Sequence, residues 1–130
     1  MTETATKTKV NPIVWAEIPV TNMERAKKFY TDVFGLKYNM HKQDEYSLAL
    51  IEASPDAWGA GGALIQGPTY TPSYNGSVVY FTTPNIEGTL QKAGKAGGKT
   101  VQPKKSIGEY GYIAFMEDSE GNRIALHSMS

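Results

Sequence analysis

Val14-Trp15-Ala16-Glu17-Ile18-Pro19-Val20-Thr21-Asn22-Met23-Glu24, closed by Gly35, has a counterpart further along the chain: Val78-Val79-Tyr80-Phe81-Thr82, then Asn85-Ile86-Glu87, closed by Gly98. One offset relates all the matched positions, Asn22 to Asn85, Glu24 to Glu87 and Gly35 to Gly98. In the first copy, Ile13–Val20 alternates. Val14, Ala16, Ile18 and Val20 face one way, and Trp15 and Glu17 the other. Thr21-Asn22-Met23-Glu24 has the spacing of a capping box, in which a side-chain oxygen and Glu24 satisfy the first free amides of a helix. Met23, Ala26, Phe29, Tyr30 and Val33 form the apolar stripe of that helix, with Lys27, Lys28 and Asp32 on its other face. Gly35 suits a left-handed C-terminal residue.

Three further strands follow the helix. Leu36, Tyr38 and Met40 alternate, as do Tyr46, Leu48 and Leu50, with Gln43-Asp44-Glu45 as the hairpin between them. Glu52–Gly62 is a loop carrying Trp58, and Ala63–Gln66 is a short fourth strand. Residues 67–76, rich in Gly, Pro, Thr and Tyr, read as a linker. The second half repeats the order. A strand spans Val78–Thr82, and Ile86, Leu90 and Ala93 stripe a helix weakened by Gly88 and Gly94. Gly97-Gly98 ends that helix. Strands are expected at Thr100–Val101, Tyr112–Met116 and Arg123–His127, with Asp118-Ser119-Glu120-Gly121-Asn122 turning between the last two. The predicted class is α+β: two βαβββ modules, about 10–67 and 74–130, forming a curved mixed sheet around a cavity. They make one domain over 10–130, after a loose tail at 1–9.

Composition narrows the function classes. The chain of 130 residues is 40% hydrophobic, with 13 basic and 13 acidic residues and no net charge. It has no basic field for nucleic acid or an anionic membrane. No apolar run is long enough to span a bilayer. With no cysteine, disulfides, thiolate nucleophiles and cysteine metal sites are excluded. The polar, basic start has no apolar stretch behind it, so the expected compartment is the cytoplasm.

Each module is too small to bury both faces of its sheet. With a helix on one face, the other faces form a trough, whose lining follows from the alternation. Trp15 and Glu17 face it from the first strand, Val78 and Tyr80 from the fifth, and Arg123, Ala125 and His127 from the last. Glu17, with His127, is the candidate acceptor or base for a ligand. Trp15, Tyr80, Tyr110, Tyr112 and Trp58 can supply an aromatic wall for a flat organic ligand, or plug the trough as core. His41, near a hairpin end, and Arg123, near a strand end, are expected to be solvated. Gly59–Gly62 lacks the following Lys-Ser/Thr of a phosphate loop and suits a flexible flap under Trp58.

The stretch Trp15–Tyr38, with Ile18-Pro19-Val20, Arg25-Ala26, Phe29-Tyr30 and Val33-Phe34-Gly35-Leu36, resembles the opening module of the glyoxalase/bleomycin-resistance/extradiol-dioxygenase group, the vicinal oxygen chelate superfamily. Glu117–Leu126 is similar to that group's last hairpin and strand. The resemblance covers about residues 10 to 128. It implies paired βαβββ modules around a cavity, and it spans metal lyases, isomerases and dioxygenases as well as metal-free drug-binding proteins. It also implies metal ligands on the first, fourth, fifth and last strands. These positions fall here on Trp15, somewhere in Ala63–Gln66, on Val78 (or Ser77), and on Ala125. Only Gln66 among the fourth-strand candidates carries a donor, and Trp15, Val78 and Ala125 cannot coordinate well.

The expectation is therefore a metal-free binding protein for a small organic molecule, with no cofactor, a homodimer, lined by Trp15, Glu17, Tyr80 and His127. The alternatives are a metal-dependent lyase or isomerase with a shifted ligand set, and a regulatory or accessory domain that binds a partner protein.

Overall fold

Both helices start where an asparagine in extended backbone supplies the missing acceptor. A computed structural model of the chain describes residues 10–130; the expected tail at 1–9 lies outside them. Helix α1 spans Met23–Phe34, and Asn22 (φ −139°, ψ 100°) accepts the Arg25 N–H. Helix α2 spans Ile86–Lys95, and Asn85 (φ −147°, ψ 93°) accepts the Gly88 N–H. The capping-box expectation is corrected in its second half. Glu24 does not reach back to the cap but stands 3.4 Å from Lys27. The carboxylate that accepts the Thr21 and Asn22 N–H groups, each at 3.0 Å, belongs to Glu120. Gly35, at φ 70°, closes α1 in the left-handed region.

The strands are β1 Trp15–Pro19, β2 Tyr38–Gln43, β3 Tyr46–Ile51, β4 Gly61–Gln66, β5 Tyr80–Thr82, β6 Lys99–Ser106, β7 Tyr112–Glu117 and β8 Arg123–Ser128. They form two mixed four-stranded sheets in the orders β1-β4-β3-β2 and β5-β8-β7-β6. In each sheet the strand before the helix runs parallel to the last strand of its module, and the other pairs are antiparallel. This is the predicted order of strand, helix and three strands, used twice. Several boundaries move, among them β4, which begins at Gly61 within the expected Glu52–Gly62 loop, and β2, which begins at Tyr38 and takes in Gln43. β1 starts at Trp15, and Val14, expected in the core, is 60% exposed. β5 is only three residues long, so Val78 lies before it. β6 is longer than Thr100–Val101, and its register slips twice between Thr100 and Lys105. Pro103, which has no N–H to give, lies inside that irregular stretch at a sheet edge.

The two modules share one core. Met23, Ala26, Phe29, Tyr30 and Val33 of α1 belong to the same buried cluster as Ile86, Ala93, Ala114, Met116, Ile124 and Leu126 of the second half. Phe34 stacks on Phe81 with centroids 4.3 Å apart and planes at 17°. A Cβ on Gly98 would collide with the Phe29 ring and the Glu117 carbonyl, so the close approach of α1 to the second module requires glycine there. Burying each ring of this kind contributes about 1.5–3 kcal/mol.

A turn from the second module latches onto the first. Tyr30 donates its hydroxyl to Asp118 at 2.6 Å, and Asn122 donates to the Pro19 carbonyl at 2.8 Å. Arg25 donates to Glu120 at 2.7 Å. Burial pushes the Glu120 carboxyl up, but hydrogen bonds from Arg25, Thr21, Ser119 and Asn22 outweigh it and hold it at about 2, against an ordinary 4.5. Burial, then the Asp118 charge, drives the Tyr30 phenol well above its ordinary value, so it remains a donor.

Candidate functional site

Strand pairing sorts the residues of the first sheet by face. Trp15 lies opposite Gly61, Glu17 opposite Ala63 and Pro19 opposite Ile65. Ile65 pairs with Leu48, and Leu48 with His41. Directly opposed residues share a face, so these line the face turned away from α1. Ile18, Leu64 and Ala49, on the other face, are buried in the core shared with α1. Trp15 and Glu17 therefore stand on the trough side, as the alternation predicts, and neither enters the core.

The structure brings Trp15 and Glu17 together. The Trp15 indole N–H donates to Glu17 Oε2 at 3.3 Å, and the Tyr70 hydroxyl donates to Glu17 Oε1 at 2.6 Å. The Glu17 carboxylate raises the Tyr70 phenol above its usual value, which keeps it protonated as a donor. Tyr70 comes from the linker and meets Tyr46 edge to face at 5.8 Å. Tyr46 in turn shares a hydrogen bond with Thr69 at 2.9 Å. A Cβ on Gly67 would run into the Tyr46 ring, so glycine lets the linker fold over the sheet. Under this cover lies a cavity of about 360 Å³, lined by His41, Gln43, Tyr46, Leu48, Ile65, Thr69 and Tyr70.

Tyr80 and His127 stand on the second sheet. Tyr80 lies opposite Ala125, and Phe115 opposite the same residue from the other side. The Tyr80 and Phe115 rings meet edge to face at 6.1 Å. Tyr80 also borders a cavity of about 340 Å³ with Leu36, Ile51 and Trp58, and Trp58 itself is 98% exposed. His127 Nε2 lies 2.7 Å from the Tyr110 carbonyl. A carbonyl only accepts, so Nε2 donates and Nδ1 is left as the second nitrogen. The candidate residues thus fall into two groups, Trp15 with Glu17 on one sheet and Tyr80 with His127 on the other.

Three residues gain importance that the sequence reading did not assign. His41 is exposed, as expected, and it also borders the cavity beside Tyr70. It shares a phase with Asn39 and Gln43, opposite to Tyr38 and Met40, and that alternation was available. Tyr70 had no signal, because its role depends on how the linker folds. Arg123 is not simply solvated. Its Nε is buried without a hydrogen-bond partner, and its guanidinium lies over Phe115 at 5.1 Å and Tyr74 at 5.9 Å.

The trough does not fit a divalent metal at the positions implied by the family resemblance. Trp15 and Ala125 hold two of them and Val78 precedes the strand that should carry the third. Gln66, the one fourth-strand donor, instead accepts the Met23 N–H at 3.0 Å, on the helix side. Among the described residues no group of three or more His, Asp or Glu stands close enough to hold an ion.

Residues 12–126 match the model of the Glyoxalase/Bleomycin resistance protein/Dioxygenase superfamily. A glyoxylase-like domain-containing protein of Didymella fabae is 29% identical over 114 residues, covering 85% of this chain and 88% of that one. Glyoxalase I of Zea mays superposes with a TM-score of 0.71 at 20% identity, over 91% of this chain and 46% of the maize chain. An antibiotic binding protein of Streptomyces sp. CB03234 superposes with a TM-score of 0.70 at 21% identity, over 95% and 99% of the two chains. This chain spans less than half of the maize enzyme, and 43% of its mycobacterial relatives. By the match of the family over nearly its whole length, and by its fold, the chain belongs to the glyoxalase/bleomycin resistance protein/dioxygenase superfamily.

Proposed function

We propose that this protein binds a small, flat organic molecule in its trough without a metal ion, as a homodimer in the cytoplasm. The observation that carries the reading is the build of the trough beside Glu17. Tyr46 and Tyr70 wall a cavity of about 360 Å³, Leu48 and Ile65 supply apolar surface, and His41, Gln43 and Thr69 add a few polar groups. Small-molecule sites are concave, mostly apolar and oriented by a few polar groups, and rings add area and stacking. Trp15, Glu17, Tyr80 and His127 do not line that cavity itself; we propose them as lining of the wider trough around it, with Glu17, reached through Tyr70, as the acceptor. The Streptomyces neighbour, an antibiotic binding protein of similar fold, supports the reading. Trp15, Met40 and Tyr80, each about half exposed, and Ile13 at 77% are apolar surface that a second copy would cover. Among the described residues no helix is long and apolar enough to cross a membrane.

The test joins elemental analysis with a binding screen. Purified protein should carry no stoichiometric zinc, nickel, manganese or iron. Neutral aromatic compounds such as 2-naphthol should bind by calorimetry, and should bind more weakly to the Glu17→Gln protein. Tight metal binding lost in Glu17→Ala or His127→Ala would replace this reading with a metal-dependent lyase or isomerase. Light scattering should give the dimer mass.

A further inference from the structure

The trough holds two opposite charges that the fold does not pair with each other. Glu17 on β1 and Arg123 on β8 line one cavity of about 220 Å³ between the two modules, together with Ser73, Ser77 and the apolar Ile18 and Val79. The Arg123 guanidinium is held over the Phe115 and Tyr74 rings. Among the described residues it has no ion-pair partner, and its buried Nε has no acceptor. A positioned guanidinium with unused donors is suited to planar carboxylate recognition. Glu17 is set by Tyr70 on one oxygen and Trp15 on the other, and each oxygen keeps a second acceptor site.

We propose that this cavity is a subsite for a small zwitterion of the amino-acid type, its carboxylate docked on Arg123 and its ammonium on Glu17. The inference rests on the trough being a ligand site and names the chemistry taken at this end of it. A simple anion would meet the Glu17 charge, and a simple cation the Arg123 charge. Only a molecule carrying both signs answers both walls. At about 30 Å³ per water, the volume corresponds to roughly seven waters, enough for an amino-acid head group and a short chain against Ile18 and Val79.

The probes are L-leucine, isoamylamine and 4-methylpentanoate, titrated calorimetrically into the full chain at neutral pH. The last two carry one of leucine's charges each. Leucine should bind at least tenfold more tightly than either. Arg123→Gln should reduce leucine to the level of isoamylamine, Glu17→Gln should reduce it to the level of 4-methylpentanoate, and Arg123→Lys should keep part of the gain. If Arg123→Gln does not fold, the Glu17→Gln arm decides alone, because it must weaken isoamylamine relative to 4-methylpentanoate. Equal affinity for all three probes, or leucine binding untouched by either substitution, overturns the proposal. If 2-naphthol still binds in that case, only the zwitterion subsite falls. If neither 2-naphthol nor leucine binds, the trough reading falls with it.

Discussion

Asn22 and Asn85 do the same local work, yet the helix ends they cap are completed by different parts of the molecule. Both sit in extended backbone and both accept the N–H three residues on. At α2 the rest of the end is closed from within its own turn. Thr83 accepts from the Asn85 N–H at 3.2 Å and shares a hydrogen bond with Thr89 at 2.7 Å. At α1 the same task falls to Glu120, almost a hundred residues away, with its neighbours Asp118 and Asn122 holding Tyr30 and Pro19. The repeat makes two similar helices, and only one of them is tied to the other module at its first turn. That asymmetry ties the end of β1, the strand of Trp15 and Glu17, to the turn that leads into β8 and Arg123.

The largest effect is expected where the clamp loses its centre. Tyr30→Ala removes a fully buried ring that touches Phe29, Phe34 and Phe81 and also strips Asp118 of its donor. We expect a loss of about 3–5 kcal/mol in chemical denaturation. Tyr30→Phe keeps the ring and should cost about 1–3 kcal/mol. Next comes Glu120→Ala, which leaves two backbone N–H groups and Arg25 without their acceptor. Its side chain is fully covered, and hydrogen bonds to a charged group support an expected loss of about 2 kcal/mol. Thr83→Ala at the corresponding end of α2 should cost less, about 1 kcal/mol. Equal losses at the two ends would show that the second-module turn adds nothing to α1.

Acid sharpens the same contrast. The folded Glu120 carboxyl is held at about 2, below its ordinary 4.5. A depressed carboxyl contributes stability that is full above about 4.5 and drains away as pH falls towards 2. The parent protein should therefore lose stability through that window, and Glu120→Gln should flatten that part of the curve. Unchanged slopes in the two proteins would contradict the assignment. A loss as small as that of Thr83→Ala is expected at the caps themselves. Asn22→Ala and Asn85→Ala should each cost about 1 kcal/mol, and alike, since their geometry is alike.

The near-symmetry also explains which parts of the candidate site are legible in the sequence. Trp15 and Glu17 were placed on the trough side because side chains alternate strictly along a strand, whatever it pairs with. Val14 was misplaced for a related reason, because alternation does not say where pairing begins, and β1 begins one residue later. His41 obeys the same period on β2, and it is exposed near a turn while bordering the cavity. Tyr70 and Glu120 were invisible, because their partners Glu17 and Thr21 lie far off in the chain. Arg123 had the right face but the wrong environment. Its burial comes from Tyr74 in the linker and Phe115 on the neighbouring strand.

What the sequence determined alone is everything with a short physical range: two asparagine caps, two apolar helix stripes, and the order of strands in each module. These follow from backbone valence and from periods of 3.6 and 2, which act within a few residues. Only the tertiary structure decided that one turn clamps both modules, that Tyr70 closes over Glu17, and that Glu17 and Arg123 look into one cavity without pairing. Those outcomes depend on how two sheets and a linker pack in three dimensions, and no local period encodes a contact between residues so far apart along the chain.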